Sequence, residues 1–545
     1  MRRRRRAEPL DRDRLVERVL ALATKRSADA RRARDALRAF RAALGTRDEA
    51  NRARAASREP ATALLAAARI TKRLASGPED LKAVERLLRA AASVTADDSE
   101  KKAADDSEKN QREASSRRAA NVELGVLLCQ EGRDAEAAAL LTAMGFRYRL
   151  ARGVLRYPSE LAGVAVRATK KKRNARDGAS LRRCLAKDEK PTPTNLLVPV
   201  RAFDGAVPPG TLARLRRVFA PDSAFWEEHG YHEDGCGFFS YAHDLTESPE
   251  RFSSPRSRDA PPRSLMDAVI SRVRAVAARA FPAAASATAA EWWAHSRPHA
   301  SGHQMHFDSD DEGLPAAAGS RDDAPRRIRH PICSAVVFVT GEIGGPTLVT
   351  DQRDDAKRLA RNGWLVAPVA GRVAVFDGEC LHGVVPGRGI AARPPGVKNT
   401  DKTTKRRNVA TTEPRRVTLM VAFWKDVEIR GTVRRATSGS GTRALGSFPR
   451  GSARPFPDPR LFMTNDPSVP SLGVSWPRLF DVDEAFLAQT RKETEGCVAA
   501  AEEVPAAPAA AVWEDVDAER NASCFPSLSV TALRSLPAYD ACFMF

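Results

Sequence analysis

Aromatic residues make up only 6 % of this 545-residue chain, and no apolar run approaches the ~18 residues that a membrane-spanning helix needs. The best apolar run, 332–340, has the size of a strand, so no membrane span is expected. The eight cysteines, scattered from Cys129 to Cys542, form no CxxC pair, which argues against a zinc module or disulfide framework and for reduced thiols in an intracellular, cytoplasmic or nuclear protein. Phosphate-cradling GxGxxG and P-loop patterns are missing, as is local support for a Ser-His-Asp or Cys-His nucleophile. The basic start Met1 to Leu10 runs into Asp11, Asp13 and Glu17 instead of an apolar segment, so no secretory signal is expected.

Basic charge is abundant. Lys and Arg number 89 against 69 Asp and Glu, a formal charge of +20, and residues 1–60 hold 19 against 9, or half of that excess. Residues 1–60 therefore read as a basic arm suited to a polyanion. From 61 to 150 apolar residues recur at helical spacing, as in Leu64, Leu65 and Ala68, then Val84, Leu87 and Leu88. ADDSEK occurs twice within 96–110, a low-complexity linker, and 121–144 reads as a helical hairpin turning at 131–134, similar to one tetratricopeptide unit. Residues 151–194, with Lys170 to Arg173, read as a basic linker.

After Pro193 the pattern becomes β-rich. Strands are expected at 196–200, 332–340, 347–350, 364–369, 372–377 and 416–424, with helices at 209–219 and 265–281. Many short strands with Gly/Pro turns indicate a sandwich or barrel. The chain thus reads as a mixed fold, an α-helical N-terminal region followed by a β domain at 195–430 with flanking helices. Residues 431–545 read as a Gly/Pro/Ser-rich and then acidic extension.

All nine histidines fall between His229 and His382. On a strand, positions i and i+2 share a face, so His306 and Asp308 can grip one ion while Phe307 points the other way. His232 and Asp234 repeat the pattern. Downstream context favours the later pair: a turn, a buried strand and a second turn deliver His382, and a further strand opens with Arg416 and Thr418 on one face.

The ordered set His306, Asp308, Gly344 to Thr347, Gly371-Arg372, Phe376 to Gly378, His382, Arg416 and Thr418 resembles the iron(II)- and 2-oxoglutarate-dependent dioxygenases, in the prolyl-hydroxylase-like branch. The resemblance implies a double-stranded β-helix, or jelly roll, over 195–430. By position, His306, Asp308 and His382 would bind Fe(II), leaving sites for 2-oxoglutarate and O2. Arg416 would clamp the distal carboxylate of 2-oxoglutarate as a planar fork, with Thr418 beside it. The resemblance implies hydroxylation of an unidentified substrate, with a protein side chain as a candidate class and ascorbate as an optional reductant.

Arg416 lies 34 residues past His382, farther than the family's usual spacing, which an inserted basic loop over 387–415 explains. Arg393 stands nearer the usual offset but precedes Pro394 and Pro395, which cannot donate to a sheet ladder. The branch commonly uses Lys for this clamp, so prolyl substrates are not implied. Tyr231, Tyr241, His295, Arg297 and His299 are candidates for the substrate mouth, Trp292 and Trp293 for the core, and Asp310 to Glu312 for a solvated turn. Two alternatives remain: a nucleic-acid-directed oxygenase, disfavoured because position 422 is Ala, and a non-catalytic interaction protein on a jelly-roll scaffold.

Overall fold

The computed structural model describes residues 61–74, 78–93, 107–146, 148–158, 161, 198–229, 231, 240–245, 264–309, 329–354, 356, 359–391, 414–425, 453–455, 476–489 and 501–516. The basic arm, the His232/Asp234 pair, Asp310 to Glu312, Lys170 to Arg173 and Arg393 lie outside them. No described helix is long and apolar enough to cross a membrane.

Four helices come first: α1 (Ala61–Leu74), α2 (Pro78–Ala92), α3 (Ser107–Glu131) and α4 (Asp134–Ala143). Leu64, Leu65 and Ala68 on α1 and Val84, Leu87, Leu88 and Ala91 on α2 form the buried stripes that the helical period produces. α3 is buried continuously from Val122 to Gln130, as befits a helix enclosed by its neighbours. It starts within the segment read as linker, because Ser107–Asn110 continue the same helix. β1 (Tyr148–Leu150) and the short α5 (Arg152–Leu155) follow, and Val154, Leu155 and Tyr157 are buried, so the chain stays folded into this layer beyond 151.

The β region contains β2 (Val200–Asp204), α6 (Pro209–Val218), α7 (Ala224–Glu228), β3 (Ser240–Asp244), α8 (Leu265–Ala280), β4 (Ala289–Pro298), β5 (His303–His306), β6 (Cys333–Phe338), β7 (Thr347–Arg353), β8 (Gly363–Val366), β9 (Val373–Asp377), β10 (Cys380–Val384) and β11 (Arg415–Trp424). Pro209 opens α6, where a missing N–H costs nothing, and the Ser264 hydroxyl caps α8 by accepting from the Asp267 N–H at 3.1 Å. The first expected strand, 196–200, begins instead at Val200 and runs on to Asp204. The strand expected at 364–369 ends at Val366, before Pro368.

Beyond residue 430, β12 (Ala453–Pro455), β13 (Glu502–Val504), β14 (Ala507–Ala509) and β15 (Trp513–Asp515) join the sheets. One sheet has the order β12-β3-β4-β11-β6-β9-β2-β13, a second β14-β8-β7-β10-β5, and β1 pairs with β15. All pairings are antiparallel except β12 with β3. The segment read as an extension is therefore partly structural, with Phe480 and Trp513 buried. The described strands do not close into a barrel.

Period-two alternation builds the layers. On β11, Val417, Leu419, Val421 and Phe423 face a core shared with α6 and α8, whereas Met420, Ala422 and Trp424 face a second core between the sheets. Val349, Trp364 and Val366 reach that second core from the five-stranded sheet. On its other side, Leu348, Leu365 and Leu381 pack into the core of α1 to α4. The order is helices, eight-stranded sheet, five-stranded sheet, helices, and the site lies between the sheets.

Candidate metal centre

β5 is the edge strand of its sheet and meets β10 with His306 directly opposite His382. Their rings are 4.3 Å apart, and Asp308 stands two residues beyond His306. The Asp308 Oδ1 lies 3.6 Å from His306 Nε2 and 3.7 Å from His382 Nε2. One donor atom from each of the three falls within 4.8 Å of the others. Phe307 packs outward against the helical core, as alternation requires.

Hydrogen bonds settle the orientation of each group. His306 Nδ1 is 2.8 Å from the Gln304 carbonyl, and His382 Nδ1 is 3.0 Å from that of Cys380. A carbonyl can only accept, so both Nδ1 atoms carry hydrogen and both Nε2 lone pairs point at the shared space. Asp308 Oδ2 accepts from the buried Ser334 hydroxyl at 2.6 Å, leaving Oδ1 for the centre. The Phe376 ring packs 4.5 Å from His382 and limits its rotation. Burial pushes His382 down to about 4 against the opposing pull of Asp308, with His306 adding to the fall.

His382 Nε2 is buried and has no hydrogen-bond partner. An orphaned basic nitrogen beside a second imidazole and a carboxylate fits a divalent metal, and two His with one carboxylate is the donor set of non-haem iron. These three are the triad expected from the sequence.

The pocket continues to β11 and β4, where Arg416 stands opposite Arg297 and Thr418 opposite His295. Arg416 is 4 % exposed, donates from Nη2 to the Thr347 hydroxyl at 3.0 Å, and leaves Nε buried without a partner. Its guanidinium lies 5.5 Å from the centre of the Phe338 ring. Burial lowers it to about 10, with Tyr157 opposing and Arg297 adding to the fall. None of the described residues lining the pocket is Asp or Glu. A desolvated guanidinium without a carboxylate partner is costly until an anion meets it, so the donor geometry fits a carboxylate ligand.

The mouth candidates divide. His295 and Arg297 line the pocket, and so does His303, which the sequence pattern did not single out. Trp293 belongs to the inter-sheet core, as expected, and also lines the pocket, donating from Nε1 to His295 Nε2 at 3.2 Å. That bond places hydrogen on His295 Nδ1, 3.1 Å from the Tyr231 hydroxyl. Burial, reinforced by Arg297, His306 and Arg416, holds His295 well below its ordinary value. Trp292 and Tyr241 belong to the helix-side core, so Tyr241 is not at the mouth. His299 is not in the pocket lining but is bound to backbone at both ring nitrogens. Arg372, prominent in the sequence, holds β9 to β2 by a bidentate pair with Asp204 at 2.6 and 2.9 Å.

No protein-family profile matches this chain, and no curated protein matches it. Among solved structures, a prolyl-4-hydroxylase from Pseudomonas putida is similar, with 16 % identity over 40 % of this chain and 83 % of that one. The TM-score is 0.21, a likeness too low to carry weight, and the chemistry of the site rests on its own geometry.

Proposed function

We propose that this chain is an Fe(II)- and 2-oxoglutarate-dependent dioxygenase on a jelly-roll-type β domain. A single observation supports the reading most: the two imidazoles of a three-donor centre, one with an orphaned nitrogen, line one pocket with a buried, carboxylate-free arginine. In that reading His306, Asp308 and His382 hold the metal, and Arg416 with Thr347 and Thr418 receives the distal carboxylate of the co-substrate. The iron would supply O2 activation coupled to oxidative decarboxylation of 2-oxoglutarate to succinate and CO2, with hydroxylation of a substrate C–H bond.

The chain's own residues then do three things. Ser334 holds the Asp308 carboxylate so that one oxygen stays free, and the Gln304 and Cys380 carbonyls keep both imidazoles in the tautomer that ligation needs. Arg416 selects a ligand with a terminal carboxylate, because its planar fork is already desolvated. Trp293, Val336 and Met420 line the pocket with apolar surface, which lowers the local dielectric and strengthens each charge contact.

The test is iron analysis of the purified full chain with succinate measured after adding 2-oxoglutarate. Iron-dependent succinate formation, lost in His306→Ala, is expected. Stoichiometric iron binding with no succinate would overturn the co-substrate assignment.

A further inference from the structure

We infer that the N-terminal helical layer is a working part of the co-substrate clamp: Tyr157 and Gln130 hold the 386–388 turn, through which the positioning residue His299 fixes Gly344 against Arg416. The inference rests on the proposed role of Arg416, and its geometry is independent of the metal.

The chain of contacts is continuous. Gln130 Nε2 donates to the Pro386 carbonyl at 3.1 Å. The Tyr157 hydroxyl accepts from the Arg388 N–H at 3.0 Å, and Arg388 Nη1 donates back to the carbonyls of Arg156 at 2.9 Å and Tyr157 at 2.7 Å. The turn is therefore gripped from the helical layer at two successive places. His299 carries the constraint inward. Its Nδ1 accepts from the Gly344 N–H at 2.9 Å, which forces hydrogen onto Nε2, 3.0 Å from the Arg388 carbonyl. The imidazole is thus a rigid spacer with one acceptor and one donor, both directed at backbone.

Gly344 is the contact that matters at the far end. Its φ is +82°, and a Cβ there would lie 2.5 Å from Arg416 Cδ, so the backbone of the turn presses directly on the arginine stem. Three residues on, Thr347 accepts from the guanidinium itself. The Val385 N–H donating to Pro346 at 3.0 Å and the Gly387 N–H donating to His299 at 3.0 Å close the same loops together. Burial raises the Tyr157 phenol against the opposing Arg388 hydrogen bond and charge, with Arg416 opposing last, and the phenol in turn opposes the fall that burial imposes on Arg416.

Tyr157→Phe removes one hydroxyl and keeps the buried ring. It should raise the 2-oxoglutarate KM about three- to tenfold, the equivalent of one lost hydrogen bond, while kcat at saturation and iron content stay unchanged. His299→Leu should do more, and His299→Asn, which retains an acceptor near the Nδ1 position, should fall between it and wild type. A second readout needs no metal. In the metal-free full chain, amide hydrogen exchange over 342–349 should be several-fold faster in Tyr157→Phe than in wild type, with the melting transition retained. Unchanged exchange over 342–349 would overturn the inference. Wild-type protein that forms no succinate would instead overturn the co-substrate reading, and the exchange comparison would still decide whether the helical layer holds Gly344.

Discussion

His306 and His382 are direct cross-strand partners on β5 and β10, with rings 4.3 Å apart and Asp308 Oδ1 almost equidistant from their Nε2 atoms. Two strands separated by some 75 residues of chain thereby present three donors to one point.

His306→Ala or Asp308→Ala should abolish stoichiometric iron binding with little loss of folded structure, because each is a large share of the metal affinity and neither belongs to an apolar core. Ser334→Ala should weaken iron binding about 10- to 100-fold by freeing the carboxylate to rotate. Iron titration followed by circular dichroism checks all three. Undiminished iron in Asp308→Ala would remove the centre from this position.

Arg416→Ala should raise the apparent 2-oxoglutarate requirement by about ten- to a hundredfold, the worth of a charge-assisted pair at roughly 1.5–3 kcal/mol, with iron retained. Arg416→Lys should recover only part, since an ammonium has no planar fork. Steady-state kinetics over a 2-oxoglutarate series reads both. Arg393→Ala should match wild type, and the reverse pattern would move the clamp into the inserted loop.

Trp513 is 2 % exposed on β15, which pairs with β1, and Arg149 Nη2 meets Glu514 Oε2 at 2.8 Å beside it. Trp513→Ala should cost about 3–5 kcal/mol, as large-to-small changes in packed cores do. Denaturant unfolding of the full chain measures it. A change under about 1 kcal/mol would mean that this segment adds little to the helical layer.

Burial holds three imidazoles outside the triad, His295, His299 and His303, below the ordinary 6.5; neighbouring positive groups deepen the effect at His295 and His303, while at His299 the Arg388 carbonyl opposes it and Lys72 adds to it. Below about pH 6.5 the unfolded chain takes up protons that the folded chain refuses, so stability falls as pH drops, by up to about 1.4 kcal/mol per group per unit. Melting temperatures between about pH 7 and pH 5 should decline, and less steeply in His299→Asn. A flat profile would contradict the burial of these rings.

What the sequence alone determined is local and periodic. Alternation sends His306 and Phe307 to opposite faces and keeps Arg416 with Thr418, because the strand period is set by the backbone and needs no partner. The helical stripe of α2 is legible for the same reason. Periodicity does not say which face meets which layer. Trp292 and Trp293 alternate, yet only pairing with β11 decides that Trp293 lines the pocket while Trp292 joins the helices, and Tyr241 follows Trp292 through its register on β3. Residues 502–504, 507–509 and 513–515 carry no strong strand pattern. They become strands because β2, β8 and β1 offer open edges whose N–H and C=O groups must be satisfied. The Tyr157 hydroxyl on the Arg388 amide, 231 residues away, is a contact of this kind too, since a hydrogen bond between distant segments leaves no trace in either one until packing brings them together.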